Sequence, residues 1–151
     1  MTSNIQLISM AKKRGINNMI VCMNDQLETF EYPTNGFFIL NLEDSDHGGT
    51  HWTCLCIRNR IPCYVDSFGG IYSEQVEKYI KKHYGKKCAF SCKIIQDFKS
   101  VKCGIYCFAL ILYILKNPNQ DILACVNNFT NLFSDNPILN DTILDKIIKK
   151  L

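Results

Sequence analysis

Apolar positions near the start of the chain recur at helical spacing. Ile5, Leu7, Ile8 and Met10 precede Lys12, Lys13 and Arg14. The pattern predicts a short amphipathic helix from Ser3 to Arg14, with Ser3 or Asn4 as its cap and Gly15 as its stop. Asn24 to Leu27 reads as a short turn, and the unbroken run from Gly36 to Leu42 reads as a buried strand. Glu43 to Gly49 carries turn residues. Two strands follow, Thr50 to Arg58 and Ile61 to Asp66, joined by a hairpin-sized Asn59-Arg60 connection. Ser73 to Tyr84 is helical, Cys88 to Gln96 is a further strand, and Asp97 to Lys102 is a polar loop. Helices are then expected at Cys103 to Lys116, Gln120 to Phe133 and Asp141 to Lys150. A helix, then strands, then a helix-rich end describes an α+β fold, with a mainly antiparallel central sheet flanked by helices. The apolar stretch from Gly104 to Leu115 falls short of the roughly 20 residues that cross a bilayer, so no membrane partner is expected.

Composition narrows the class. A chain of 151 residues, 47% hydrophobic and 21% charged, suits one folded domain over residues 1–151. A net charge of +3 does not by itself indicate nucleic acid. The lysines are clustered, however: Lys81, Lys82, Lys86 and Lys87 lie together, and Lys146, Lys149 and Lys150 near the end. Each cluster is either a solvated helix face or a contact surface for DNA or an acidic partner. Nine cysteines are an odd number, and the first residues lack the basic and apolar regions of a secretory leader. Most of the cysteines sit in apolar runs, which implies reduced thiols in a reducing compartment. The nearest metal-like spacings, Cys88-x-x-x-Cys92 and Cys103-x-x-x-Cys107, lie in apolar segments, so no metal site is expected.

Four residues assemble a nucleophilic site. Cys103 opens the apolar helix, where unpaired N–H groups and the helix dipole favour a thiolate and offer donors to an oxyanion. Gly104 beside it allows a close backbone approach by substrate. His51 begins a strand and can reach across to a helix start as general base. Asp66 ends the partner strand. The numbers 51 and 66 sum to 117, which centres the turn between residues 58 and 59 and places the carboxylate beside the imidazole. Gln96, seven residues before Cys103, supplies an amide as second oxyanion donor.

Gly49-Thr50-His51-Trp52, Tyr64-Val65-Asp66-Ser67-Phe68-Gly69, and Gln96 followed by Cys103-Gly104 resemble the adenain-like cysteine peptidases. These are the adenovirus maturation protease and its virophage and Polinton-type counterparts, related to SUMO-specific proteases. Asn41-Leu42-Glu43-Asp44-Ser45-Asp46 is similar to the viral branch, and the resemblance runs from near residue 3 to about residue 115. It implies a papain-like site on a permuted chain, with the order His51, Asp66, Gln96, Cys103. The adenovirus enzyme has Glu at the second position, so Asp66 is similar to the other branches. Trp52 matches the family's tryptophan, either stacked on the imidazole or as a plain core residue. The implied activity is cleavage of capsid or other structural precursors next to glycine during virion maturation. The implied setting is the virion and the host cytoplasm or viral factory. A monomer is expected, and the chemistry requires no cofactor. DNA and a peptide activate the adenovirus enzyme; here the Lys81, Lys82, Lys86 and Lys87 cluster leaves DNA open, and no cysteine is matched to the peptide link. The competing readings are deconjugation of SUMO- or ubiquitin-like proteins and acyl transfer, although no segment for an acyl-transfer cofactor is evident.

Overall fold

Ser3 caps the first helix, α1 (Asn4–Lys13), by a reciprocal box with Gln6: its hydroxyl accepts the Gln6 N–H at 3.1 Å, and the Gln6 carboxamide accepts the Ser3 N–H at 2.8 Å. The structure, a computed structural model, describes residues 1–43, 51–85 and 87–151. The Asp44 to Gly49 part of the expected loop, with His47, lies outside the described residues, as do Thr50 and Lys86.

Five strands form one sheet in sequential order: β1 (Met19–Met23), β2 (Gly36–Asn41), β3 (Trp52–Arg58), β4 (Ile61–Val65) and β5 (Ala89–Ser91). The two central pairings are antiparallel, and both edge pairings are parallel. The sequence reading did not assign β1: five apolar residues without alternation carry no period of their own, and they become a strand by pairing with β2. β5 is shorter than the run from Cys88 to Gln96. The N–H groups of Ile95 and Gln96 instead donate to the Ser67 carbonyl at 2.9 and 3.0 Å, which draws this stretch away from the ladder.

Alternation along the strands builds two cores. Phe38, Leu40, Leu55, Ile57 and Tyr64 face α2 (Glu74–Tyr84) through Val76, Tyr79 and Ile80. Phe37, Ile39, Trp52, Cys54 and Cys56 face α3 (Cys103–Lys116), which is covered in turn by α4 (Ile122–Thr130) and α5 (Asn140–Lys150). α3 is buried almost all round, as its uniformly apolar sequence requires. Arg58 ties the β3–β4 hairpin to the far end of α3: its guanidinium donates to the carbonyls of Ile114, Asn117 and Gln120 at 2.9, 2.8 and 2.6 Å. A cation at a helix C-terminus also complements the dipole. Among the described residues no helix is long and apolar enough to cross a membrane. The architecture is a mixed α+β fold with a five-stranded central sheet flanked by helices.

Candidate active site

Cys103 is the first residue of α3, packed against the end of β3. The carbonyl of Lys102 takes the N–H groups of Ile105 and Tyr106 at 2.9 and 3.0 Å. The N–H of Cys103 itself has no acceptor among the described residues, so it remains free for an anion. The thiol is only 2% exposed as a residue, and its sulfur accepts the backbone N–H of Trp52 at 3.4 Å.

His51 immediately precedes β3, and Asp66 immediately follows β4. Asp66 Oδ1 lies 2.7 Å from His51 Nε2. With Nε2 engaged there, Nδ1 is the nitrogen left for the thiol, and the charge of Cys103 adds to that of Asp66 in favouring a protonated ring. The contact with Asp66 does not arise from the register expected. Cys54 pairs with Val65 and Arg58 with Ile61, so paired numbers sum to 119 and the turn centres between Asn59 and Arg60. Both turn residues are left-handed, at φ 53° and 63°, as a two-residue hairpin turn of type I′ requires. The correction is a slip of two residues. Such a slip moves partners along the ladder but keeps each side chain on its face, so Asp66 reaches His51 diagonally. The same register carried on brings Phe68 opposite His51, and their rings stack with centroids 4.6 Å apart and planes 25° from parallel. Phe68 was not singled out from the sequence, although the turn centre, placed one residue later, would have found it.

Burial disfavours charge on both reacting groups, yet their interaction overrides it. For His51, desolvation pulls the pKa down, but hydrogen bonds and charge from Asp66 and Cys103 push it up to about 9. For Cys103, desolvation raises the pKa, while His51, the Trp52 N–H and the Gly104 N–H bring it below the ordinary thiol value. The other buried thiols behave oppositely: desolvation pushes Cys22, Cys63 and Cys88 up to about 12. Cys54 and Cys56, 3.3 Å apart at sulfur, are raised as well. Cys103 is thus lowered where these other thiols are raised.

Gln96 is 1% exposed and makes no hydrogen bond to Cys103 among the described residues. Its Nε2 donates to the Ser100 carbonyl at 3.1 Å, and its Oε1 accepts the Ser67 hydroxyl. The loop leading from it to Cys103 is held by α5. Asn140, fully buried, donates to the Ile95 and Ser134 carbonyls at 2.8 and 2.9 Å. Asp141 accepts the Ser100 and Tyr106 hydroxyls, each at 2.9 Å, and Lys102 pairs with Asp145 at 3.2 Å. Apart from the Asn140–Ser134 bond, these clamps join residues more than 30 positions apart and had no signal in the local sequence.

Trp52 and Gly104 both pack next to Cys103. Trp52 does not stack on the imidazole; adjacent residues of an extended chain point to opposite faces, and Phe68 occupies that position. The Trp52 indole instead donates to the Thr2 carbonyl at 2.8 Å, pinning the residues before α1 near the start of α3. At Gly104 the space that a side chain would take is filled by the protein. A Cβ there would stand 3.2–3.3 Å from Trp52, Leu7 and Thr2, so its small size serves packing. Lys81 pairs with Glu77 along α2 at 2.9 Å. Among the described residues no group of three or more His, Cys, Asp or Glu side chains is placed to hold a metal.

No protein-family model and no curated protein matches the chain. Its structure is similar to the crystal structure of ASFV pS273R protease, with a TM-score of 0.55 at 14% sequence identity. The match covers 95% of this chain and 65% of that one, so the chain spans just under two thirds of its neighbour's length. At this identity the likeness is one of fold.

Proposed function

We propose that this chain is a cysteine endopeptidase of viral type that cleaves capsid or other structural precursors next to glycine during virion maturation. The observation that carries the reading is the Asp66–His51–Cys103 chain of interactions at the start of α3, with Cys103 lowered where the other buried thiols are raised. In the mechanism, the Cys103 thiolate attacks the scissile carbonyl carbon, and the C=O electrons move onto oxygen. The free N–H of Cys103 and the Gln96 amide receive that oxyanion. His51, charged and oriented by Asp66, gives its proton to the leaving amine as the C–N bond breaks. It then takes a proton from water, which attacks the thioester and releases the acid and the thiol.

The glycine preference rests on the motif resemblance and on access. A thiol so little exposed favours an unbranched backbone at the cleavage point. The mechanism needs no metal or cofactor, and it needs Cys103 kept reduced, consistent with a reducing compartment. The test is co-expression with a capsid precursor. The wild-type protein is expected to cut it into defined fragments, and the Cys103→Ala variant to leave it intact. Equal cleavage by the variant would sink the mechanism. Labelling by an electrophilic ubiquitin- or SUMO-derived probe, with the precursor left whole, would replace the maturation role by deconjugation.

A further inference from the structure

We infer that Ser67 is a positioning residue for the same reaction, so that the Asp66–Ser67 dipeptide orients both the base and the oxyanion amide. The inference rests on the peptidase reading. Asp66 holds His51 through Oδ1, and the next residue holds Gln96 by two bonds and its neighbour Ile95 by a third. The Ser67 hydroxyl donates to Gln96 Oε1, and the Ser67 carbonyl accepts the N–H groups of Ile95 and Gln96 at 2.9 and 3.0 Å. Both side chains are buried, Ser67 at 3% and Gln96 at 1% exposure, so neither amide end can turn to solvent instead.

The two ends are fixed with opposite polarity. The Ser100 carbonyl, which can only accept, holds Nε2, and a hydroxyl donor satisfies Oε1. A flipped amide would set two carbonyl oxygens against each other. Nε2 carries two N–H groups, and the Ser100 carbonyl takes one. The second has no acceptor among the described residues and is the one left for the oxyanion. A hydrogen bond donated to Oε1 also polarises the amide, which strengthens its N–H as a donor. Ser67 thus acts on the reaction only through Gln96, whereas its neighbour acts only through His51.

The experiment is a double-mutant cycle with Ser67→Ala and Gln96→Ala on a peptide substrate, with Ser67→Cys as a nearly isosteric weak donor. Losing an oxyanion donor outright costs about 10²–10³ in kcat, and losing its orientation is expected to cost about tenfold. Ser67→Ala should lower kcat by that amount with KM changed less than about twofold, and Ser67→Cys should fall between it and wild type. In the Gln96→Ala background Ser67→Ala should change nothing further. The pH profile of Cys103 alkylation by iodoacetamide, a reaction without an oxyanion, should match wild type. An equal loss in both backgrounds, or a displaced alkylation profile, would overturn the inference. Normal alkylation with no peptide hydrolysis by the wild-type protein would instead sink the peptidase reading. The Gln96 side-chain NH₂ resonances then decide the orienting role. Slow exchange in wild type that becomes fast in Ser67→Ala upholds it, and identical exchange in both refutes it.

Discussion

Asp66 Oδ1 holds His51 Nε2 at 2.7 Å while accepting the Phe68 backbone N–H at 2.9 Å. One carboxylate oxygen therefore orients the imidazole and shapes the turn that carries the stacked Phe68 ring. Replacing Asp66 by Asn removes the negative charge, so that the amide either keeps a neutral oxygen at both contacts or turns an N–H towards both, and neither rotamer supports the imidazolium as the carboxylate does. Asp66→Asn is expected to lower kcat by roughly 10²–10⁴ with little change in thermal stability. Retention of wild-type turnover in steady-state kinetics would refute the orienting role.

The pH dependence follows from the direction of the two shifts. Cys103 is lowered from 9.0, so the thiolate forms as pH rises through a value below the ordinary one. His51 is raised from 6.5, so it stays charged until pH rises through about 9. The active ion pair is populated between these limits, and kcat/KM is expected to be bell-shaped with its falling limb near pH 9. A falling limb near pH 6.5 would show that the imidazolium gains nothing from its neighbours.

Without His51, burial still raises the Cys103 thiol, and only the Trp52 and Gly104 N–H groups remain to oppose it. His51→Ala is expected to move alkylation of Cys103 by iodoacetamide to higher pH and to slow it by at least roughly tenfold at neutral pH. Peptide mapping of the labelled protein checks that the same cysteine is read. Equal reactivity in both proteins would exclude His51 as its base.

Phe68 stacks on the imidazole at 4.6 Å, and an aromatic face stabilises the charged ring. Phe68→Ala is expected to lower the falling limb of the pH profile by roughly half a unit, through the loss of about 0.5–1 kcal/mol of cation–π stabilisation. An unmoved limb would leave the ring a packing role only.

Asn140 ties the Ile95 carbonyl, just before the loop that leads to Cys103, to the Ser134 carbonyl in the connection before α5. Asn140→Ala leaves the Ile95 and Ser134 carbonyls without that donor and is expected to cost about 1–3 kcal/mol in urea unfolding, with turnover falling alongside. Unchanged stability would mean that water replaces the amide without loss.

Much of the fold was written locally. The apolar stretch after Cys103 had to be a buried helix, because a uniformly apolar segment of that length has no polar face to leave in water. The paired left-handed residues Asn59 and Arg60 mark the hairpin that brings the ends of β3 and β4 together. The residue types at positions 51, 66 and 103 were legible for the same reason: their chemistry is a property of the side chain and of its place at an element's end. β1 and the shortening of β5 were not legible, since each depends on which backbone groups a distant segment offers as partners. Sequence alone thus determined the helices, the strands β2 to β4, and the candidate nucleophile, base and carboxylate. Only the tertiary structure decided that Asp66 reaches His51 diagonally, that Phe68 rather than Trp52 covers the imidazole, and that Ser67, Asn140 and Asp141 hold the loop before Cys103. Those outcomes hang on long-range register and on hydrogen bonds between residues far apart in the chain, which no local pattern of apolar and polar positions encodes.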